Sequence, residues 1–266
     1  IALSVFNTAL SEGCFPDSWN KTCVSLLPKK GNLSDLKNWR PISLINTDAK
    51  VFTRVLNARV IKCSLSLINP YQTGFVRGRF IADNGLLMKT ILHDSSVSRS
   101  SAIGLLIDQE KAYDRVHPQY FRRVLLHFGF PVPIVNSLFN LFFKTKLRLN
   151  INGFLSKPVC QLRGLRQGDP ISPVLFNLCF EPLLRIVLND PCFPGYQLPR
   201  SLLPSIPTDL LHPVKLLAYA DDVVFFVDNP NSLVQLNRHL SLYSRASNAL
   251  VNYHKTVALS LSGTPI

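Results

Sequence analysis

"LLAYADDVVFF" (216–226) sets two adjacent carboxylates, Asp221 and Asp222, inside a run that is otherwise apolar. Two like charges side by side in a low-dielectric setting are costly unless a cation or hydrogen bonds compensate. The stretch is therefore either a tight turn whose acids look into solvent or a metal site. Its flanks bear on the fold, because "VKLLAYADDVVFFVD" (214–228) reads as strand, two-residue turn, strand.

Working outward, "SAIGLLID" (101–108) is a short apolar run ending in Asp108, which suits a buried strand. If that strand neighbours the hairpin, Asp108 and Asp221 converge at one edge of a sheet. "DPISPVLFNLCFEPLLRIVL" (169–188) offers Asp169 or Ser172 as N-cap and Pro170 or Pro173 at the first helical position. Its polar stripe is only Asn177, Glu181 and Arg185, so the helix is mostly buried. "LRLNINGFLSKPVCQ" (147–161) alternates and turns at Asn152-Gly153, a hairpin signal. His117-Pro118 opens a helix with Phe121, Val124, Leu125 and Phe128 on one side, stopped by Gly129 and Pro131.

Further helices are expected over 132–144, where "LFNLFFK" (138–144) reads as core rather than a base-stacking platform, and over 230–249. A last strand falls in "NYHKTVALSL" (252–261). At the other end, residues 1–11 read as the end of a helix, "CFPDSW" (14–19) as a turn and "KTCVSLLPK" (21–29) as a strand. "KKGNLSDLKNWRP" (29–41) reads as a polar, basic loop. A helix starts at Thr47, with Val51, Phe52, Val55, Leu56 and Val60 at helical spacing, and another covers 82–94. "YQTGFVRGRF" (71–80) is a Gly/Arg-rich connector between them. Residues 189–213 hold six prolines and no periodicity and read as an extended surface connection. This order predicts an α+β protein, with helices packed on one face of a small antiparallel sheet.

Composition bounds the partner. The 266 residues suffice for a real core in one or two domains. Lys and Arg number 29 against 16 Asp and Glu, giving +13 and a pI near 9.7. That excess favours a polyanion, nucleic acid first and anionic membrane second. No apolar run is long enough to span a membrane and no signal peptide is evident, so nucleic acid is preferred and no membrane is expected. The cysteines (14, 23, 63, 160, 179, 192) show no C-x-x-C pair and no zinc spacing. They read as buried free thiols of a reducing, intracellular compartment. The chain starts at Ile1 and its one methionine is Met88, so a fragment of a longer product is expected.

Six stretches carry a resemblance: "NWRPISL" (38–44), "YQTGFVRGR" (71–79), "LIDQEKAYDRV" (106–116), "GLRQGDPISPVLFNL" (164–178), "AYADD" (218–222) and "VNYHKT" (251–256). In this order and spacing the chain resembles the reverse transcriptase of non-LTR (LINE-type) retrotransposons. The resemblance implies a right-hand polymerase, with fingers in about 1–100, interleaved with a palm over 101–266. The family's thumb would follow residue 266 and is absent from this stretch of a longer polyprotein.

The same resemblance implies the site. Asp108 and Asp221 would hold two Mg²⁺ ions, with Mn²⁺ a substitute, and Asp222 would be a further acid of the set whose role stays open. Two such ions about 4 Å apart stabilise both oxygens of an in-line phosphoryl displacement. Tyr113 matches the bulky gate against a 2′-OH. Arg40 and Lys30 match basic residues that hold the triphosphate, and the sequence does not choose between Lys29 and Lys30. Gln167 and Gly168 match the loop beside the nascent base pair, Arg77 and Arg79 a basic loop near template and nucleotide. Lys255 matches the lysine that protonates leaving pyrophosphate. Implied partners are an RNA template, a DNA primer or target and dNTPs, with no obligate protein partner. Target-primed synthesis implies work in the nucleus after synthesis in the cytoplasm.

Two rival classes remain. One is an inactive nucleic-acid-binding remnant using its basic surface; the other is a different palm enzyme, an RNA-dependent RNA polymerase or a nucleotide cyclase. Simpler readings also stand beside individual residues: Lys255 as a surface lysine beside His254, Arg77 and Arg79 as phosphate contacts without specificity.

Overall fold

The structure, a computed structural model, describes residues 1–143, 145–199 and 212–265. In chain order its elements are α1 (Ala2–Glu12), β1 (Lys21–Pro28), β2 (Trp39–Leu44), α2 (Thr47–Leu67) and α3 (Ile81–Ser98). There follow β3 (Ile103–Ile107), α4 (Ala112–Arg115), α5 (Pro118–His127), α6 (Val132–Phe143), β4 (Lys146–Ile151), β5 (Phe154–Leu155) and β6 (Val159–Cys160). The last are α7 (Ser172–Asn189), β7 (Leu216–Tyr219), β8 (Asp222–Val227), α8 (Pro230–Ser247) and β9 (Val257–Ser260). The chain forms two compact units, Ile1–Cys63 with Tyr113–Cys179, and Ser64–Ala112 with Phe180–Ile266. Each draws on both sides of residue 100.

The second unit holds a four-stranded sheet in the order β7-β8-β3-β9, antiparallel throughout. The expected hairpin is there: Tyr219 pairs with Asp222 across a two-residue turn. Strand pleating sorts the side chains onto two faces. On one, Ile107 and Val223 join Phe180 and Leu183 of α7 and Leu240 and Tyr243 of α8. On the other, Leu217, Phe226 and Leu261 pack with Ile91 and its α3 neighbours Leu87, Met88 and Leu92. That second face stays open at its far end, where Leu106, Val257 and Leu259 are exposed. α8 is capped as its sequence dictates: Asn229 accepts from Ser232 N, Pro230 follows, and Asn248 closes it at φ +67°.

The first unit is built on a second sheet, β2-β1-β4-β5, with β6 also on β4. β1 and β4 run parallel. The Asn152-Gly153 turn has φ +51° and +88°, the left-handed pair that a two-residue hairpin requires. Trp19 is 1% exposed and packs between Phe6, Phe15 and Phe52, and its indole donates to Asp48 Oδ2 at 2.7 Å. Leu138, Leu141 and Phe142 of α6 are buried, so the aromatic run is core as expected.

Three expectations are corrected. The "basic loop" 29–41 ends in a strand, β2, hidden in the sequence by Pro41; proline is tolerated because β2 lies at the end of the sheet order. The 189–213 connection is not merely superficial: Phe193, Tyr196 and Leu198 are buried and Tyr196 bridges Val214. Residues 200–211 of it lie outside the described residues. The cysteines are free, but only Cys179 is buried; Cys23 is half-buried and Cys14, Cys63, Cys160 and Cys192 are exposed. Cys14 and Cys192 lie in the irregular chain after α1 and α7, Cys63 on the exposed side of α2 and Cys160 in β6, where both residues are exposed. Among the described residues no helix is long and apolar enough to cross a membrane.

Candidate active site

The acids meet at one end of the antiparallel sheet. β3 and β8 pair in a register ending at Ile107–Val223, and one step further sets Asp108 opposite Asp222. Both then lie on the face that also carries the exposed Leu106. Asp222 is exposed as a residue, yet partial burial of its carboxyl, and then the charge of Asp108, raise its pKa above the usual carboxylate value. Desolvation is the larger cause and the neighbouring Asp108 charge adds to it. Asp221 occupies the turn itself, half-buried, and its carbonyl receives the Gln109 side-chain amide at 3.5 Å.

The "VNYHKT" segment is tied to the same strand end. Asn252 N donates to Asp108 O at 2.8 Å, Glu110 N to Leu250 O at 2.8 Å, and Gln109 bridges Val251. Lys255, exposed, stands on the turn that follows and precedes β9. The expected strand from residue 252 is therefore shorter, starting at Val257.

The two arginines of the 71–80 connector part company. Arg77 is exposed. Arg79 turns inward and donates to the carbonyls of Ile68, Asn69 and Gln72, closing the C-terminal end of α2. Burial lowers its pKa while Glu181 acts the other way. Three of its N–H groups thus serve the scaffold. Glu181, fully buried in α7, accepts from Asn69 N at 3.0 Å, Asn69 Nδ2 at 2.9 Å and Arg185 Nε at 2.9 Å. Burial raises its pKa against these bonds.

In the first unit "GLRQGDP" is a built loop. Arg166 and Asp169 are 3% and 2% exposed and pair at 3.4 Å, bracketing Gln167-Gly168. Arg166 also donates to Leu141 O at 3.1 Å and lies over the Phe142 ring at 4.8 Å. Ser43 N of β2 donates to Gln167 O at 2.7 Å, and Gln167 Nε2 reaches Asp114 Oδ1 at 3.3 Å. Gly168 has φ +106°, and a Cβ there would sit 2.8 Å from Ser43 O, so glycine is required. Tyr113 stacks on Phe176 with centroids 4.6 Å apart, and its carbonyl accepts from Leu165 N at 2.8 Å. Lys29, Lys30 and Arg40 are exposed in and before β2. A cleft of about 520 Å³ in this unit is lined in part by Lys21, Lys146 and Arg148, which sequence reading did not single out.

Gly164 fastens the loop to α4: it has φ +88°, and a Cβ would lie 2.7 Å from Asp114 O and 2.8 Å from Asp114 Cα. Gly164→Ala is expected to destabilise the protein by about 2–3 kcal/mol. Urea unfolding checks this, and an unchanged midpoint contradicts it.

Among the described residues no group of three or more His, Cys, Asp or Glu side chains is gathered into a metal cage. The donor chemistry nevertheless suits a hard divalent cation. Mg²⁺ is held through one or two carboxylates together with substrate phosphates rather than by a full protein cage. The crowding of Asp108 and Asp222 is the kind of repulsion such a cation relieves.

Residues 27–264 match the family described as "Reverse transcriptase (RNA-dependent DNA polymerase)". The chain is 34% identical over 255 residues to the Transposon TX1 uncharacterized 149 kDa protein of Xenopus laevis, covering 96% of this chain and 19% of that protein. It is 29% identical over 268 residues to the Retrovirus-related Pol polyprotein from type-2 retrotransposable element R2DM of Drosophila melanogaster, covering 100% of this chain and 24% of that one. The chain thus spans about a fifth to a quarter of these relatives' length. Among solved structures, telomerase from Candida tropicalis in complex with a TWJ fragment of telomeric RNA superposes with a TM-score of 0.59 at 13% identity, over 91% of this chain and 41% of that one. That likeness extends to the fold, a mixed α/β arrangement with small sheets.

Proposed function

This chain belongs to the reverse transcriptase (RNA-dependent DNA polymerase) family, and on that premise we propose that it catalyses RNA-directed DNA synthesis for a non-LTR retrotransposon. The observation that carries the reading is the meeting of Asp108 with the Asp221–Asp222 turn at one end of the antiparallel sheet. In the proposed reaction a primer 3′-OH attacks the α-phosphorus of a dNTP, and the bond to the β-phosphate oxygen breaks. Reverse transcriptases as a family use divalent metal ions; here Asp108, Asp221 and Asp222 would hold Mg²⁺, with Mn²⁺ a substitute. When bound, the metal supplies charge stabilisation to the attacking and leaving oxygens. Lys255 then donates its proton to the departing pyrophosphate.

Arg40 and Lys30 bind the triphosphate in this reading, and Arg77 meets the template backbone. Arg79 braces the loop that carries Arg77. Gln167 and Gly168 line the nascent pair, pre-set by the Arg166–Asp169 pair and by Ser43. The fingers fall mainly in 1–100 and the palm in 101–266, with the two interleaved. RNA template, DNA primer and dNTPs are the partners, and target-primed synthesis in the nucleus is the setting.

The test is extension of a DNA primer on RNA by the protein with its natural flanking sequence, with Mg²⁺ and dNTPs. RNA binding that weakens with salt, with no incorporation, would instead favour the inactive remnant. Tyr113→Ala is expected to raise incorporation of NTP relative to dNTP by at least about tenfold, as removal of a steric discriminator does. The lost ring stacking costs about 0.5–1.5 kcal/mol of stability. A competition assay with unchanged sugar selectivity would remove Tyr113 from the gate.

A further inference from the structure

We propose that Gln72 is a positioning residue for the acidic turn, its carboxamide fixing where Asp221 stands. The inference rests on the two-metal reading of Asp108 and Asp221 given above. It starts from a turn whose own sequence does not specify it. Ala220, the first of the two turn residues, has φ +54°. A two-residue hairpin that needs a positive φ there normally places glycine at that position. Alanine holds it only against steric strain, and strained residues persist where surrounding structure over-determines them.

Gln72 supplies that determination. It is fully buried. Its Oε1 accepts from Ala220 N at 2.8 Å and from Gly74 N at 2.9 Å, and its Nε2 donates to Ala220 O at 3.0 Å. Both backbone groups of the strained residue therefore bond to one side chain. The segment that carries Gln72 is itself docked on β7: Ala218 N donates to Tyr71 O and Thr73 N to Ala218 O, each at 3.0 Å. Asn84 Nδ2 adds bonds to Ala218 O at 2.9 Å and Thr73 Oγ1 at 3.0 Å.

Gly74 sets how near this segment can come. A Cβ at Gly74 would lie 2.3 Å from Ala220 N and 2.9 Å from Tyr219 C. No other residue fits without moving the turn. From the β3 side, Gln109 Nε2 reaches Asp221 O. The turn is thus held on two sides, at Ala220 by Gln72 and at the Asp221 carbonyl by Gln109. Reacting groups held in a fixed geometry need no reorganisation at the moment of reaction.

The experiment uses Gln72→Met, which keeps length and approximate volume and removes all three bonds. Mn²⁺ affinity, read by paramagnetic resonance without nucleotide, is expected to fall about 10–100-fold, the range seen when a group supporting a metal ligand is lost. The kcat of primer extension falls by a similar factor while primer–template affinity holds. Gln72→Glu, which retains acceptors for Ala220 N and Gly74 N but no donor when ionised, is expected between Met and wild type. Wild-type affinity for Mn²⁺ in folded Gln72→Met overturns the proposal. Should that variant not fold, amide exchange in the wild type decides. Ala220 N–H is expected to be protected like the core of β8, and exchange at the rate of an open loop overturns the proposal. A protein that binds Mn²⁺ through Gln72 support yet extends no primer defeats the polymerase reading alone. One that extends primers with no response to Gln72→Met defeats only the positioning role.

Discussion

Asp221→Asn is expected to lower kcat for primer extension on RNA by about 10³-fold, the scale on which a lost electrostatic group at a reacting centre is felt. On the proposed function RNA affinity is expected to hold, because the substitution removes no basic side chain. The fold is expected to hold too. The turn is fastened through the backbone of Ala220 and the carbonyl of Asp221, which the substitution leaves in place. Removing one of several neighbouring like charges relieves repulsion, so the melting temperature should not fall. Asp108→Asn should match this loss. Asp222→Asn asks a sharper question, since Asp222 is the acid whose carboxyl feels Asp108. Single-turnover extension with each variant measures the three contributions. If Asp221→Asn keeps more than a tenth of wild-type kcat, the turn is a solvated cap and the metal reading falls.

How much of this could be read in advance depends on how local each signal is. The β7–β8 hairpin, the strand ending at Asp108 and the buried helix α7 follow from short-range periodicity, and all are present. β2 escaped because a proline within "WRPISL" argues against a strand unless its edge position is known. Asp108 and Asp222 face one another through a register that no local pattern fixes; a one-residue slip would exchange the faces. Arg79 read as a template contact because charge in a Gly-rich loop looks solvent-bound. Its three carbonyl partners, Ile68, Asn69 and Gln72, lie just after α2 and at the start of the connector, and only the fold of that segment turns them toward the guanidinium. Gln72 was invisible for the same reason: its partner Ala220 is remote in sequence, and glutamine in a loop carries no signal of burial.

Arg166→Met is expected to be the most destabilising single change in the first unit, by about 3–5 kcal/mol, because it strands a buried carboxylate. Asp169 is 2% exposed, and burial raises its pKa even with Arg166 alongside to lower it. Without the guanidinium, the groups among the described residues that still oppose the desolvation are the Ile171 N–H, Thr53 and Lys50. The sign with pH follows. A carboxyl whose folded pKa lies above its unfolded value costs stability once pH exceeds the unfolded value, and the variant raises the folded pKa further. The gap between Arg166→Met and wild type should therefore be widest near neutral pH. It should narrow as pH falls through the folded pKa, where Asp169 binds its proton. Replacing both partners, with Asp169→Leu added, should cost less than Arg166→Met alone, since no buried charge is then left unpaired. A double-mutant cycle in urea at two pH values measures this coupling. Because the pair brackets Gln167-Gly168, the double variant should also raise KM for dNTP while RNA affinity stays constant. If the cycle shows no coupling, the pair does not hold the loop, and Ser43 and Asp114 set the position of Gln167.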